Sequence, residues 1–395
     1  MNRIYFDYNA ATPVDPSVAS RIYSSLKDVF GNPSSLHFEG RRARQVLDDA
    51  RDETAGFLKC LSSELIFTGS GSESNNTAIK GVAEAYVKKG KHLVTTAVEH
   101  SSVLNTFKYM ESRGWEVTYI KVDGGGMPDL NELASSIRDD TTLVSMMMAN
   151  NETGVILPVK EASAISKEKG VVFHTDAVQA VGKIDFDLNE LDVDLLSMAG
   201  HKFYAPKGAG ALYVRKGVLI EPFIHGGSQE LGRRGGTENI AAILGFQLAL
   251  RELKNSSVDE MIRVGKLKNA VITGIRELIN DVEFIGDKTN RLISGDLSEV
   301  PHLETLPNTV CASFKGVSGE SLLIALDMEG IAVSAGSACT SGALGRSHVL
   351  SAMGLEEEVI EGAVRISLGR WNTMEEVDLF LQILPTIIKR LRSEG

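Results

Sequence analysis

The sequence predicts an α/β fold, with a mostly parallel, doubly wound sheet and a second, smaller α+β domain. Short β-rich runs alternate with longer helical patterns between about residues 64 and 214, which is typical of such a sheet. After about residue 258 this alternation ends. The chain has 395 residues, and because one domain usually has roughly 100 to 200, we expect two domains. We assign 13–258 to a large domain and 1–12 with 259–395 to a small one.

Six β-rich runs supply the predicted strands of the large domain. They are 65–67, 93–96, 117–120, 143–148, 171–173 and 195–198. The stretches between them include two clear helical patterns, 74–88 and 159–169. Because ligands bind beyond the carboxyl ends of the strands in such sheets, polar residues there are candidates for a binding site. Polar groups follow four of the runs, at 69–72, 99–100, 150–152 and 175–176.

The small domain is predicted from the carboxyl-terminal part of the chain. A long helical pattern at 258–279 comes first. It is followed by short strand patterns at 282–285, 310–314 and 364–368 and by an amphipathic helix at 374–391. We expect the amino-terminal segment to join this domain and the active site to lie between the two domains.

The segment 68–74 lies between a predicted strand and a predicted helix and is rich in glycine and serine. Its glycines would allow the backbone to approach a ligand, and the start of the helix would offer N–H groups suited to a phosphate. An ordinary turn with a serine cap would have the same sequence, so this segment alone leaves both interpretations open.

Three polar residues at later strand ends are candidates for cofactor chemistry. Asp176 could cap a helix, or it could pair with a protonated pyridine nitrogen, since a buried carboxylate needs a partner. Most lysines are solvated, but Lys202 lies among small and aromatic residues, where burial would favour the neutral amine that a Schiff base requires. His100 could be a core histidine, or it could lie against a pyridine ring and transfer protons. Their order after a phosphate-like loop favours a pyridoxal-phosphate site.

Cys339 is the candidate reactive thiol. It lies in a run of small residues at 334–345, for which we predict a mobile, accessible loop. Cys60 follows a helical pattern and Cys311 lies in a strand pattern, so we expect both to be packing residues. Arg365, on a predicted strand of the small domain, would point into the cleft and bind a substrate carboxylate, or it would form a structural ion pair.

The composition argues against several functional classes. A net charge of −11 and a pI near 5.3 oppose direct binding to nucleic acid. No apolar run approaches the roughly 18 residues of a membrane helix, and the amino terminus does not resemble a signal peptide. Three widely spaced cysteines argue against a disulfide framework. We therefore expect a soluble, cytoplasmic protein with reduced thiols.

The segments as a set closely resemble the NifS/IscS-type cysteine desulfurases, a branch of the class V aminotransferases, which are pyridoxal-phosphate enzymes. The resemblance covers nearly the whole chain. It is carried by 7–16 (DYNAATPVDP), 31–37 (GNPSSLH), 69–76, 99–100, 150–154 (NNETG), 174–179 (HTDAVQ), 200–202 (GHK), 234–237 (RGGT), 334–341 (SAGSACTS) and 364–370 (VRISLGR). It implies pyridoxal-phosphate fold type I, with a mostly parallel seven-stranded sheet in the large domain.

The resemblance implies a role for each matching residue around the ring of pyridoxal 5'-phosphate. Lys202 would bind the cofactor covalently, and Asp176 would pair with the ring nitrogen. His100 would lie against the ring as a catalytic residue that transfers protons. Gln179 and Asn151 would approach the ring hydroxyl.

The phosphate ligands are also implied by the resemblance. Gly71, Ser72 and His201 would bind the phosphate, and Thr237 would reach it from the second subunit of a homodimer. The sequence departs from the family pattern at Ala199, where relatives commonly have a serine that bonds the phosphate.

The activity implied by the resemblance is that of a cysteine desulfurase. L-cysteine would bind through its carboxylate to Arg365 and Asn151, and the Cys339 thiolate would take its sulfur, leaving L-alanine and a persulfide. The sulfur would pass to an iron–sulfur scaffold or another sulfur-acceptor protein, for cluster assembly or tRNA thiolation. The alternatives are a selenocysteine or cystine lyase or an aminotransferase on the same fold, and a non-catalytic protein that has kept the fold. Transamination needs no thiol at Cys339, and binding alone needs no amine at Lys202.

Overall fold

The computed structural model describes residues 3–286, 304–335 and 346–394. In chain order the strands are β1 (Ile4–Tyr5), β2 (Leu65–Thr68), β3 (His92–Thr96), β4 (Glu116–Ile120), β5 (Thr141–Ser145), β6 (Val172–Asp176), β7 (Leu195–Ala199), β8 (Gly210–Val214), β9 (Val282–Phe284), β10 (Thr309–Phe314), β11 (Ile331–Ala332), β12 (Ser334–Ala335) and β13 (Ala363–Ser367). The helices are α1 (Pro16–Asp28), α2 (Phe38–Leu58), α3 (Gly71–Ala85), α4 (Ser101–Ser112), α5 (Leu130–Ser136), α6 (Val159–Glu168), α7 (Leu188–Leu191), α8 (Ile240–Leu278), α9 (Gly319–Met328), α10 (His348–Ala352), α11 (Glu357–Glu361) and α12 (Met374–Glu394).

The largest sheet has seven strands in the order β2-β8-β7-β6-β5-β3-β4. Strand β8 runs antiparallel to both of its neighbours, and the other neighbouring pairs are parallel. The predicted mostly parallel, seven-stranded sheet is therefore confirmed. The reversed strand β8 was not among the six predicted runs. Only residues 200–209 join it to β7, and so short a connection suits an antiparallel pair, since a parallel pair needs a crossover of a dozen residues or more.

The six predicted strands correspond to β2 through β7, with ends that differ by a few residues. The helix predicted at 258–279 differs more, because α8 begins at Ile240. The Asn239 side chain caps this helix by accepting a hydrogen bond from the backbone N–H of Ala242 at 3.2 Å. The first three turns of α8 are almost entirely apolar and are buried on most sides. A helix that is apolar all round has no amphipathic period, so its start cannot be found by periodicity.

A second sheet has four antiparallel strands in the order β12-β13-β10-β9, and β1 pairs with β11 in a parallel two-stranded sheet. One hydrophobic cluster joins these strands to α8, α9 and α12 and includes Phe6, Phe314 and Phe380. A separate, larger cluster packs against the seven-stranded sheet. The carboxyl-terminal part of the chain thus has the predicted α+β character. Within the described residues, no helix has both the length and the apolar content needed to span a bilayer.

Strands β2, β3, β5, β6 and β7 run in the same direction. Their carboxyl ends therefore meet at one edge of the seven-stranded sheet. The polar groups that follow these strands in the sequence are brought to this edge from segments more than 100 residues apart. The fold thereby places the candidate binding residues side by side.

Candidate active site

A cavity of about 340 Å³ lies at this edge of the sheet. The predicted site residues that line it are Gly71, Ser72, His100, Asn151, Asp176, Gln179, His201, Lys202 and Arg365. Thr237 is exposed and does not line this cavity. Cys339 lies outside the described residues. A larger cavity of about 580 Å³ beside α6 contains none of the predicted residues.

The start of α3 forms one end of the cavity. Gly71 is its first residue, so the unpaired backbone N–H groups of a helix start are available there. The Ser70 hydroxyl caps the helix by accepting a hydrogen bond from the Glu73 N–H at 3.1 Å, as the capping interpretation of this loop predicts. Gly71 leaves no room for a side chain, because a Cβ would lie 2.8 Å from Val178 Cγ2 and 3.2 Å from Ala199 Cβ.

Two other predicted phosphate ligands, Ser72 and His201, line the same cavity. Burial lowers the pKa of His201 to about 4, and the positive charges of Lys202 and Lys207 contribute to the same shift. The imidazole is therefore neutral near pH 7 and has one N–H to donate. Ala199 also lines the cavity and offers no hydrogen-bonding group there.

Asp176, at the end of β6, is only 4% exposed. Its Oδ1 accepts a hydrogen bond from the Val178 N–H at 2.9 Å, so this oxygen caps the turn that follows. Its Oδ2 accepts a hydrogen bond from Asn75 Nδ2 at 2.6 Å. Asn75 was not predicted as a site residue. It lies one turn after Gly71 on α3, inside the segment 69–76 that resembles the family. Its spacing from Gly71 could have indicated that it faces the same cavity.

His100 is oriented by the start of α4. Its Nδ1 accepts a hydrogen bond from the Ser102 N–H at 3.1 Å, so the neutral ring carries its proton on Nε2. Burial lowers the pKa of His100; Asp176 opposes the shift, and Lys202 and His348 add to it. A neutral imidazole in this tautomer presents the Nε2–H as a hydrogen-bond donor.

Lys202 ends the short 3₁₀ turn that follows β7. Its Nζ donates hydrogen bonds to the backbone oxygens of Asn9, at 2.6 Å, and of Ala10, at 2.8 Å. Gln179 Nε2 donates to the same Asn9 oxygen at 3.0 Å. Asn9 was not predicted as a site residue, because its place beside Lys202 results from packing between segments that are far apart in the chain.

Arg365 reaches the cavity from β13 and is 2% exposed. One terminal nitrogen donates to the backbone oxygen of Asn151 at 2.9 Å, and the other donates to Asp7 Oδ1 at 2.8 Å. Its Nε is buried and has no hydrogen-bond partner within the described residues. Arg365 therefore forms a structural ion pair with Asp7, which was one of the two predicted roles. Its Nε remains available as a donor beside the cavity.

The two cysteines that the structure describes have raised thiol pKa values. Cys60 is half-buried and Cys311 is buried. Burial is the main cause that raises the thiol pKa of each to about 12. Both therefore stay protonated near pH 7, as the prediction that they are packing residues requires.

Two buried carboxyl groups near the cavity were not predicted. Burial raises the pKa of Glu99 to about 8 and that of Glu152 to about 7. Ser347 donates a hydrogen bond to Glu152 Oε2 at 2.5 Å, and His348 Nε2 lies 2.9 Å from the backbone oxygen of Glu99. The chain that follows 336–345 is thus bonded to residues at the ends of β3 and β5.

The groups in the cavity fit pyridoxal phosphate. Lys202 supplies an amine for an aldehyde, Asp176 supplies a carboxylate for a pyridinium, and the start of α3 supplies N–H groups for a phosphate. The unpartnered Nε of Arg365 suits a further anion, such as a carboxylate.

Comparison with known proteins relates the whole chain to one family. The pattern of the family Aminotransferase class-V matches residues 4–380. A protein named cysteine desulfurase IscS from Dictyoglomus turgidum is 46% identical over 391 residues, which cover 99% of this chain and 95% of that protein. A protein of the same name from Methanosarcina thermophila is 44% identical over 391 residues, which cover 99% of this chain and 93% of that protein.

Solved structures give the same result. A structure named NifS-like protein superposes with a TM-score of 0.89 at 39% identity and covers 98% of this chain and 100% of that one. A structure described as SspA in complex with cysteine superposes with a TM-score of 0.79 at 33% identity and covers 94% of this chain and 100% of that one. The chain therefore belongs to the aminotransferase class-V family, and within it to the cysteine desulfurases.

Proposed function

We propose that this chain removes sulfur from L-cysteine with the help of pyridoxal 5'-phosphate and holds that sulfur as a persulfide on Cys339. The observation that carries the proposal is that Lys202, Asp176 and Arg365 converge on one cavity in a chain that matches cysteine desulfurases along nearly its whole length. A scaffold protein without catalytic activity would have no use for a half-buried amine at that position.

Different residues of the cavity would hold the aldehyde carbon, the ring nitrogen and the phosphate of the cofactor. Lys202 would attach it through the amine, Asp176 would hold the ring nitrogen, and the N–H groups at the start of α3 would hold the phosphate with Ser72 and His201. When bound, pyridoxal phosphate supplies an electron sink for bonds at the carbon next to an amino group. Asn75 would keep the Asp176 carboxylate in place, since it bonds the oxygen that the turn does not use.

Arg365 and Asn151 would bind the carboxylate of L-cysteine. Arg365 keeps an unpartnered donor at Nε although Asp7 and the Asn151 backbone occupy its terminal nitrogens. The Lys202 amine is the group that would take up and return a proton beside the bound amino acid. His100 would donate a hydrogen bond from Nε2, and it would transfer a proton only by way of its imidazolium form.

The sulfur step balances without an added oxidant. Cys339 as a thiolate forms a sulfur–sulfur bond with the substrate sulfur while the carbon–sulfur bond of the substrate breaks. The electron pair of the broken bond stays on carbon, which takes up the proton that the Cys339 thiol has lost. The products are L-alanine and the Cys339 persulfide, which an iron–sulfur scaffold or a sulfur carrier for tRNA thiolation would accept.

We also infer a homodimer in which Thr237 of one subunit approaches the phosphate of the other. Large apolar side chains are exposed near Thr237 and at the α1–α2 connection, including Leu231 at 65%, Leu36 at 89% and Phe38 at 66%. Leu231 also has a left-handed backbone with φ of 57°, which costs free energy for a branched residue. A partner subunit that covers these residues would account for their exposure in the single chain.

We further infer that 13–258 form the large domain and that 1–12 with 259–395 form the small one. The two hydrophobic clusters support this division, because few of their members lie on the other side of the proposed boundaries. We infer a cytoplasmic location from the three widely spaced cysteines, which suit a reducing compartment.

The experiment that tests the function compares Cys339→Ser with Cys60→Ser, a matched change at a half-buried thiol. Each purified protein receives pyridoxal phosphate, L-cysteine and a reductant, and alanine and sulfide are measured. We expect Cys339→Ser to keep the cofactor absorbance and to lose sulfide release by at least about a hundredfold, while Cys60→Ser behaves like the unmodified protein.

Equal sulfide release from Cys339→Ser would contradict the proposal. If Cys339→Ser cleaves both selenocysteine and cysteine at the normal rate, the result would favour the lyase alternative. Transfer of the amino group to a keto acid without sulfide would favour an aminotransferase.

A further inference from the structure

We propose that Lys183 is a positioning residue for the cofactor, which acts through Gln179 and Asn9 on the groups that meet the ring and the attachment amine. The inference rests on the proposed function, since it takes Gln179 to meet the ring hydroxyl. Lys183 does not line the cavity and was not predicted as a site residue.

Lys183 is a buried amine, 9% exposed, that follows Gln179 by one turn. Its Nζ donates to Gln179 Oε1 at 2.5 Å and to Asn9 Oδ1 at 2.9 Å. It has no acidic partner within the part of the chain that the structure describes. Burying an amine without a counter-ion costs free energy, and side chains that break this rule are concentrated at functional sites.

The Gln179 amide is held in one orientation from both ends. Its Oε1 accepts from Lys183, and its Nε2 donates to the Asn9 backbone oxygen, which can only accept. A flipped amide would place two oxygens against each other at Asn9. In the observed orientation Nε2 has a second N–H, and Gln179 lines the cavity. That N–H is the donor available to an acceptor such as the ring hydroxyl oxygen.

Asn9 links Lys183 to the attachment amine. Its side-chain Oδ1 accepts from Lys183 at 2.9 Å and from Asn308 Nδ2 at 3.0 Å. Its backbone oxygen accepts from Lys202 Nζ at 2.6 Å. Lys183 therefore helps to hold the residue whose carbonyl holds Lys202.

The contacts of Lys183 do not depend on its charge. Burial lowers the pKa of Lys183 well below the usual lysine value, and the charges of Lys202 and Arg365 lower it further. A neutral amine still has two N–H groups, and the two observed contacts use two. The observed amide orientation of Gln179 therefore does not require a charge on Lys183.

The test compares Lys183→Met with Lys268→Met, a matched change at another buried lysine. Lys268 is 6% exposed and donates to Thr305 Oγ1 at 2.8 Å and to the Leu306 oxygen at 2.9 Å, away from the cavity. The full chain is stripped of cofactor and titrated with pyridoxal phosphate, and urea unfolding is measured separately. We expect Lys183→Met to bind the cofactor about tenfold more weakly, the size of one lost hydrogen bond, and Lys268→Met to bind it within about twofold of the unmodified protein.

A double-mutant cycle with Gln179→Leu separates positioning from general loss of structure. Because one of the two contacts of Lys183 is to the Gln179 amide, we expect Lys183→Met to weaken cofactor binding clearly less in the Gln179→Leu background than in the unmodified protein. Losses that multiply, or a loss in Lys183→Met no larger than that in Lys268→Met, would overturn the inference. If Lys183→Met does not fold, Lys183→Gln, which keeps one donor, takes its place in the same cycle.

The same titration keeps the two proposals apart. An unmodified protein that does not bind pyridoxal phosphate contradicts the proposed function itself. An unmodified protein that binds it normally, together with Lys183→Met that binds it equally well, contradicts only the role of Lys183.

Discussion

The two sides of the cavity differ in how completely the ionisable groups that line them are already paired. On the side of the seven-stranded sheet, Asp176 is held by Asn75, and His100 is held by the start of α4. On the side of the four-stranded sheet, Arg365 is paired with Asp7 but keeps a buried Nε without a partner within the described residues. An amide oxygen on the side of the seven-stranded sheet, Asn75 Oδ1, also lacks a partner within the described residues. The first side is pre-organised for a resident group, and the second retains binding capacity for a group that comes and goes.

The largest effect that would test this comparison is expected from Arg365→Met. Loss of the guanidinium removes a charge-assisted contact to the substrate carboxylate, so we expect KM for L-cysteine to rise about 10- to 100-fold while cofactor binding is little changed. Steady-state kinetics and a pyridoxal phosphate titration measure the two effects. Arg370→Met is the control, because Arg370 forms ion pairs with Asp15 and Glu260 and does not line the cavity. An unchanged KM in Arg365→Met would show that this side does not bind the substrate.

A second effect is expected in stability rather than in binding, from the buried carboxyl group of Glu99 beside His100. Glu99 binds its proton up to a pH of about 8 in the folded chain, but only up to the ordinary carboxyl pKa of 4.5 when unfolded. The folded state therefore binds more protons between these values, and the free energy of unfolding falls as pH rises from about 4.5 to about 8. We expect Glu99→Gln to reduce this fall by a few kcal/mol, measured by urea unfolding at pH 5.5 and pH 8.

The control for this measurement is Glu84→Gln, at an exposed position on α3, which should leave the slope as it is. Some slope remains in Glu99→Gln, because the raised pKa of Glu152, about 7, acts in the same direction. A stability that rises over this range in the unmodified protein and is unaffected by Glu99→Gln would contradict the assignment.

The smallest effect is expected from Ala199→Ser, which would sharpen the comparison at the phosphate end. A hydroxyl at this position adds the donor that Ala199 lacks, so we expect pyridoxal phosphate to bind about three- to tenfold more tightly. Ala97→Ser, at a strand end outside the cavity, is the control for the titration. Weaker binding in Ala199→Ser would indicate that the pre-organised side has no room for another polar group.

The strand-end residues could be predicted because their place follows from local pattern. Asp176 and Lys202 each come directly after a β-rich run, and parallel strands bring such residues to one edge. Asn9 and Lys183 could not be predicted in that way. Asn9 follows no strand of the large sheet, and Lys183 resembles any lysine in a turn until its partners are known. Their roles depend on tertiary contacts, which leave no period or spacing in the sequence.

The amino-terminal segment is held in place by hydrogen bonds to Ser367, near the carboxyl end of the chain. The backbone N–H of Tyr8 donates to the Ser367 oxygen, the Ser367 N–H donates to the Phe6 oxygen, and the Asn9 N–H donates to the Ser367 hydroxyl. The carbonyl that Asn9 presents to Lys202 is therefore fixed by a residue that the ribosome adds more than 350 positions later. A growing polypeptide therefore cannot complete these contacts before Ser367 has been synthesised.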